Sequence, residues 1–220
     1  MAKEILTKNQ LKVLRAVGQE PFLAKSFYLS GGTALAAFYL KHRYSEDLDF
    51  FSEEEFASQN IYIFFKNRQK ELGIKKIDYQ QSFNRHLFFL FLKNNNVIKT
   101  EFTYYPFHVL QKSKLYQGVK IDSLLDIAVN KLFTIYQQPR SRDFIDLYLI
   151  IRKEYWPINE LIKKAKIKFN WHVDPLQLAG QFNLAAKLKD YPRMIKTVNS
   201  KSWEDFFLKQ AKLLSQDILR

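Results

Sequence analysis

A chain of 220 residues that is 47% hydrophobic and 16% aromatic can bury a proper core, as one large domain or two small ones, which excludes a disordered chain. It has no run of eighteen apolar residues and its opening MAKEILTKNQ lacks the charged-then-apolar layout of a signal peptide, so a cytoplasmic protein that does not engage a membrane is expected. The absence of cysteine excludes disulfides and thiolate metal sites, and the net charge of +13 points to an acidic partner.

In chain order, Leu11, Leu14 and Val17 recur at helical spacing and predict a helix ending near Gly18, ahead of Pro21. Phe27 to Leu29 reads as a short strand feeding Gly31-Gly32, Thr33 to about Lys41 as a helix capped by Thr33, and Leu48 to Phe51 as the next strand. Ser52 followed by Glu55 spells a capping box and predicts a helix from Glu53 to Leu72, stopped by Gly73. Strands follow at Ile74 to Gln81, His86 to Leu92 and Val97 to Thr103, with Asn94 to Asn96 as a hairpin turn.

From Ile121 the pattern is helical, with Asp122 as N-cap and Leu124, Leu125, Ala128, Leu132 and Ile135 on one face, as far as Pro139. A second helix runs from Ser141 past Tyr148, and others are expected at about Ile158 to Phe169, Asp174 to Lys187 and Ser202 to Leu219. The expected fold is α+β: a mixed-sheet lobe over 1–110, then a helical lobe over 111–220, with a ligand in the cleft between them. Trp156, Trp171 and Trp203 lie in helical surroundings and are read as core.

Charge is unevenly divided. Residues 41–60 carry two basic and six acidic side chains, whereas 61–120 carry eleven basic and three acidic, and 151–220 fourteen and seven. An acidic segment set in a basic molecule suits an enzyme acting on a polyanion such as RNA, although lysines such as Lys163, Lys164, Lys166 and Lys168 also fit a solvated helix face.

The acidic segment holds Asp47 and Asp49, two apart, with Leu48 and Phe50 between and after them; on a strand both carboxylates share one face and the apolar residues the other. Two carboxylates about 5 Å apart repel by roughly 3 kcal/mol at an effective dielectric near 20, so the pair calls for a counter-ion or a shared proton. A divalent cation such as magnesium, held by one or two carboxylates and substrate phosphates, fits. Upstream, Gly31 and Gly32 let backbone N–H groups approach an anion at the start of a helix. The bland alternative is a plain turn and an exposed acidic loop paired with Lys41 and Arg43.

Gly31-Gly32-Thr33-Ala34-Leu35, then His42-Arg43-x-Ser45-x-Asp47-Leu48-Asp49-Phe50-Phe51, resembles the signature of the AbiEii/AbiGii toxins and the MenT-like toxins, which belong to the polymerase β-like nucleotidyltransferases. Asp126, Lys131, Arg142, Asp143 and Asp146 resemble the downstream block of the same family. The resemblance implies a polymerase β-like mixed sheet flanked by helices and followed by a C-terminal helical lobe. It implies metal ligation by Asp47, Asp49 and Glu101, the last as third acid and base, catalytic roles for Lys131 and Asp146, and nucleotide contacts from Gly31, Gly32, Thr33, Arg43, Ser45 and Asp143. The activity implied is magnesium-dependent transfer of a nucleotide from a nucleoside triphosphate to the 3′ end of tRNA, by a toxin opposed by an antitoxin from a neighbouring gene.

Several residues also have plain readings. Glu101 fits an edge-strand carboxylate paired with Lys99, Lys131 an exposed helix lysine, Asp146 an i+4 partner of Arg142, and Asp126 a partner of Lys131 or Asn130. Transfer to a protein or small-molecule hydroxyl, or an inactive nucleotide- or RNA-binding module, are the competing functions. His42, His86, His108 and His172 show no metal-ligand spacing, and neither a Walker loop nor a Gly-x-Ser-x-Gly elbow occurs.

Overall fold

A computed structural model describes residues 5–216 as two compact units. The first comprises residues up to 38, 45–108 and 112–122; the second comprises 39–44, 109–111 and the chain from 123 onward.

The first unit is built on one seven-stranded mixed sheet. Its strands are β1 (Tyr28–Ser30), β2 (Leu48–Ser52), β3 (Ile74–Ser82), β4 (Arg85–Leu92), β5 (Val97–Tyr104), β6 (Lys114–Tyr116) and β7 (Val119–Ile121), in the order β3-β4-β5-β2-β1-β7-β6. The pairs β2–β5 and β1–β7 are parallel and the rest antiparallel. Strand periodicity separates two faces: Leu48, Phe50, Phe88, Leu90, Ile98 and Phe102 are all buried on one. There Phe50 stacks on Phe102 at 4.9 Å, and α4 (Ser58–Asn67) packs Phe65 against Phe88 and Phe102.

The first helix, α1 (Lys8–Gln19), opens on a Thr7/Gln10 capping box and buries Val13, Leu14 and Val17. After it come α2 (Pro21–Ser26), a turn the sequence reading missed, and α3 (Gly31–Leu35), which continues as a π-helix over Ala36–Leu40.

Two expected helix starts are wrong, for the same reason. Ser52 does not cap a helix at Glu53: it remains in β2 opposite Tyr104, and its hydroxyl accepts the Glu54 N–H in a tight turn. The helix begins only at Ser58, and a short α5 (Gln69–Leu72) follows a break at Arg68. Likewise Asp122 is tied to the sheet by its N–H to Leu29 O, so Ser123 is the N-cap of α6 (Leu124–Gln137), accepting the Asp126 N–H. In both cases ladder pairing holds the capping residue extended. The hairpin β6–β7 was also unforeseen.

The second unit is helical: α6, α7 (Ser141–Glu154), α8 (Ile158–Phe169), α9 (Pro175–Phe182) with a 3₁₀ turn over Asn183–Ala186, and α10 (Ser200–Gln216). The expected end of the last helix at Leu219 lies outside the described residues. Phe144, Phe182, Trp203 and Phe207 form its aromatic core, with Phe207 at 4.9 Å from Phe144 and 5.0 Å from Phe182. Trp203 is thus core as expected, but Trp171 is not, being 57% exposed. Among the described residues no helix is long and apolar enough to cross a membrane.

Candidate active site

The residues singled out by sequence fall into two groups, one in each unit. In the first unit the strand register assembles the acids. Asp49 stands opposite Ser30 on β1 and opposite Glu101 on β5, so Asp49 and Glu101 share one sheet face, with Asp47 just ahead of β2. This face is the one turned away from the Phe50–Phe102 core.

Gly31 lies directly beneath Asp49. Its φ is +70°, and a Cβ there would come within 2.8 Å of Asp49 Oδ2. Glycine serves twice, for the left-handed backbone and for the close approach of the carboxylate. Gly31→Ala is therefore expected to lower the melting temperature by about 2–6 °C, by straining the turn and displacing the Asp49 carboxylate. Thermal melts of the two proteins check this.

Ser30 does not cap α3, because its hydroxyl donates to Asp122 Oδ2 at 2.6 Å. Thr33 does not cap it either. It lies inside the helix, fully buried, with its hydroxyl donating to the Asp47 carbonyl oxygen and bonded to the Ser45 hydroxyl at 2.8 Å. Thr33 and Ser45 thus hold the loop that presents Asp47, and of the glycine turn it is the backbone that can meet a ligand.

Two cations complete the face. Lys99 reaches Asp47 Oδ2 at 2.6 Å, and Arg85 forks Glu101 through Nε and an η nitrogen, both at 2.6 Å, with Thr103 donating to Glu101 at 2.9 Å. Glu101 is therefore no edge carboxylate paired with Lys99: it is buried in a central strand and bound to Arg85. Burial alone would raise its pKa, but the Arg85 fork overrides this and sets the carboxyl below its usual range. Arg85 is raised in turn, chiefly by its bond to Glu101 and further by the charges of Asp49 and Asp47.

Three carboxylates against two side-chain cations leave this face with a net single negative charge. Hard carboxylate oxygens beside a glycine turn suit magnesium shared with substrate phosphates. Among the described residues no three His, Asp or Glu side chains converge at metal-ligand spacing. The donor set that fits is thus the Asp47–Asp49 pair completed by phosphate oxygens, with Glu101 in register beside it.

The second group is a buried ion cluster in the helical unit. Asp146, fully buried on α7, accepts from Arg43 Nε at 2.7 Å and from an Arg43 η nitrogen at 2.8 Å, from His42 Nε2 at 2.7 Å, and from Lys131 at 2.8 Å. Asp143 binds Lys131 at 2.7 Å and Arg140 at 2.9 Å. Burial pushes both carboxyls up, but Lys131 with Arg43 at Asp146, and Lys131 with Arg140 at Asp143, outweigh it. Asp143 ends below the normal range and Asp146 well below it. Lys131 is hence no exposed lysine, and Asp146 pairs with groups other than Arg142. The opposite ring nitrogen of His42, Nδ1, is buried with no hydrogen-bond partner among the described residues.

Asp126 is also settled differently. It binds Lys168 at 2.7 Å and accepts from Ser123 and from the N–H groups of Leu110 and Gln111, so it anchors the loop 109–111 to α6 and α8.

The sequence profile of the family described as Nucleotidyl transferase AbiEii toxin, Type IV TA system matches residues 12–215. The chain belongs to the AbiEii nucleotidyltransferase family. The uncharacterized protein aq_aa25 of Aquifex aeolicus is 33% identical over 151 residues, which is 67% of this chain and 68% of that protein. The crystal structure of JHP933 from Helicobacter pylori superposes with a TM-score of 0.61 at 18% identity, over 96% of this chain and 90% of that one. A second Helicobacter pylori protein, provisionally assigned as a nucleotidyltransferase, gives 0.59 at 19% identity, over 96% and 97%. At such identities the two structures establish the fold, and the family match establishes the class of enzyme: an AbiEii nucleotidyltransferase.

For this AbiEii protein, sequence reasoning missed Arg85 and Lys99 as part of the acidic face, and His42 as a partner of Asp146. Lys99 was noticed only beside Glu101, whereas it lies 52 residues from its partner Asp47. Period-two alternation places Lys99 and Glu101 on one face, so the signal for Lys99 was present. Arg85 carried none.

Proposed function

We propose that this nucleotidyltransferase moves a nucleoside monophosphate from a nucleoside triphosphate to the 3′ hydroxyl of tRNA, with magnesium held by Asp47 and Asp49, as the toxin of a pair whose antitoxin is encoded by a neighbouring gene. The observation that carries this is the Asp-x-Asp face set in register with Glu101 and packed on the Gly31 turn. The acidic face lies within a chain of net charge +13, as a polyanionic acceptor requires.

The acceptor hydroxyl oxygen attacks the α-phosphorus, the bond from that phosphorus to the bridging oxygen breaks, pyrophosphate leaves, and the hydroxyl proton passes to solvent water. When bound, magnesium supplies Lewis-acid neutralisation of the phosphate oxygens. The backbone at Gly31 and Gly32 holds the terminal phosphates, while Thr33 and Ser45 fix the loop that carries Asp47. Glu101 faces the attacking hydroxyl. With its carboxyl held low by Arg85 it is a weak base, and it acts by orienting the hydroxyl and favouring the charge that develops on it. Within the helical unit, Asp143 and Asp146 hold Lys131 and Arg43 in a buried ion cluster that fixes α6 and α7 to residues 42–43.

The test is incubation of the pure protein with total tRNA, magnesium and each α-labelled ribonucleoside triphosphate, followed by denaturing gels. Label at the tRNA 3′ end is the expected result. A folded protein that labels no RNA but labels a protein or a small hydroxyl compound would overturn the acceptor. Expression without an antitoxin is expected to arrest growth, and Asp49→Ala to relieve the arrest.

A further inference from the structure

The face that carries the acids continues across the sheet onto β4. Cross-strand pairing sets Leu87 opposite Glu101, Phe89 opposite Lys99 and Phe91 opposite Val97, so the three apolar side chains lie on the same face as the acids, one strand beyond β5. All three are half-buried, whereas the residues alternating with them, Phe88, Leu90 and Leu92, are buried. A sheet face that reaches water ordinarily alternates to polar residues; here it keeps two aromatic rings and a leucine. Charged pairs border the row: Arg85 with Glu101 at one end, Lys99 with Asp47 beside Phe89, and Lys76, over the Phe91 ring at 5.4 Å, with Asp78 opposite Phe89. Residues 74–104 carry five basic and two acidic side chains.

Beyond Arg85 the β3–β4 hairpin turns through Phe83. It has a φ of +50°, a conformation bulky side chains rarely adopt, and its ring is 94% exposed. A glycine or asparagine would take this position at less cost.

We propose that Leu87, Phe89 and Phe91, bordered by Arg85, Lys99 and Lys76, form the platform on which the unpaired 3′-terminal nucleotides of the acceptor RNA lie, with Phe83 as a further stacking ring at the hairpin tip. This rests on the nucleotidyltransfer to RNA proposed above and adds how the acceptor strand is held. Rings at alternate positions of a strand are about 6.6 Å apart, a spacing that successive unstacked bases can match. Arg85 and Lys76, both largely exposed beside their carboxylate partners, are the cations that can turn N–H groups to the phosphates. The row stands one strand spacing, about 4.8 Å, from Glu101. A strand lying on it therefore ends beside the acids. A duplex frees only the outer face of its terminal pair and cannot lay successive bases on separate rings, which makes the occupant a single strand.

The experiment is fluorescence anisotropy of a labelled single-stranded oligoribonucleotide of about ten residues, and of the same sequence as a blunt duplex, at fixed low salt. The wild type should prefer the single strand. Phe89→Ala and Phe91→Ala should each weaken its binding about fivefold to fiftyfold and Phe83→Ala about fivefold, as loss of one base-stacking ring does. Phe89→Trp should keep the affinity and Phe89→Leu, which preserves apolar packing, should lose it. Stabilisation of the variants by nucleoside triphosphate and magnesium in thermal melts should match wild type.

Equal binding of single strand and duplex, or folded variants within twofold of wild type, would overturn the platform. So would loss of nucleotide stabilisation with RNA binding intact, which would place the incoming base on these rings. The outcome separates from that of the transfer assay. Single-strand binding lost in Phe89→Ala, with no RNA labelled by wild type, would uphold the platform and sink the transfer reading; RNA labelled equally well by Phe89→Ala, with unchanged KM for RNA, would do the reverse.

Discussion

Replacing Asp49 with asparagine is expected to reduce nucleotide transfer at least about 10³-fold, the rate equivalent of roughly 4 kcal/mol of lost charge stabilisation at a metal-assisted phosphoryl site. The amide has the size of the carboxylate and can keep its seat over Gly31, so the melting temperature should stay within about 2 °C of wild type. What is lost is the negative charge that, with Asp47, makes this face attractive to a divalent cation. Asp47→Asn should behave alike, because the Lys99 ion pair it also loses is partly exposed and adds little stability. The two variants should need more magnesium to reach their residual rate. Initial rates with α-labelled nucleotide across a magnesium titration check this, and an Asp49→Asn enzyme within tenfold of wild type would remove Asp49 from the site.

The placing of Asp49 on a strand face opposite Leu48 and Phe50 is legible in the sequence because its signal is local. Alternation of Asp47, Asp49 and Phe51 against Leu48 and Phe50 is confined to five residues, and a strand has only two faces to assign. The glycine turn is local for the same reason, since positive φ and close approach are properties of single residues. Where local rules compete with the sheet, the reading failed. Ser52 and Asp122 are both good N-cap residues, yet each is held extended by a ladder to a strand far off in sequence, Tyr104 for one and Leu29 for the other.

Charge partners were the least legible, because nothing in the spacing of residues 85, 99 and 131 indicates which carboxylate each will meet. The plain reading of Glu101 pairs it with the neighbouring Lys99, but Lys99 binds Asp47, and Glu101 binds Arg85 on the adjacent strand. The i+4 spacing of Arg142 and Asp146 suggested a helix-surface pair, but Asp146 faces inward and takes His42 and Arg43 from 104 and 103 residues away. In each case the local guess failed because tertiary structure chose the partner, strand pairing for Glu101 and Lys99 and burial for Asp146.

The inward-facing Asp146 has the second large consequence. Asp146→Asn is expected to destabilise the protein by about 3–5 kcal/mol, because it leaves Lys131 and Arg43 buried with half of their compensation removed. The pH dependence follows from the depressed carboxyls of Asp143 and Asp146. Unfolded, both titrate near pH 4. Folded, they titrate lower, so their pairing adds stability that is fully present above about pH 4 and is lost as pH falls through the folded values. Urea midpoints of wild type should therefore fall steeply below about pH 4, and Asp146→Asn should fall less steeply, having one fewer such group to protonate. Lys131→Met removes the leading counter-charge while retaining both acids. Its destabilisation should be larger at pH 7 than at pH 4, because without Lys131 burial raises the two carboxyls, which then take up protons near pH 4 and no longer demand a cation. A pH-independent loss in Lys131→Met would mean that its ammonium contributes packing rather than charge, and the cluster would then not be the electrostatic anchor its geometry indicates.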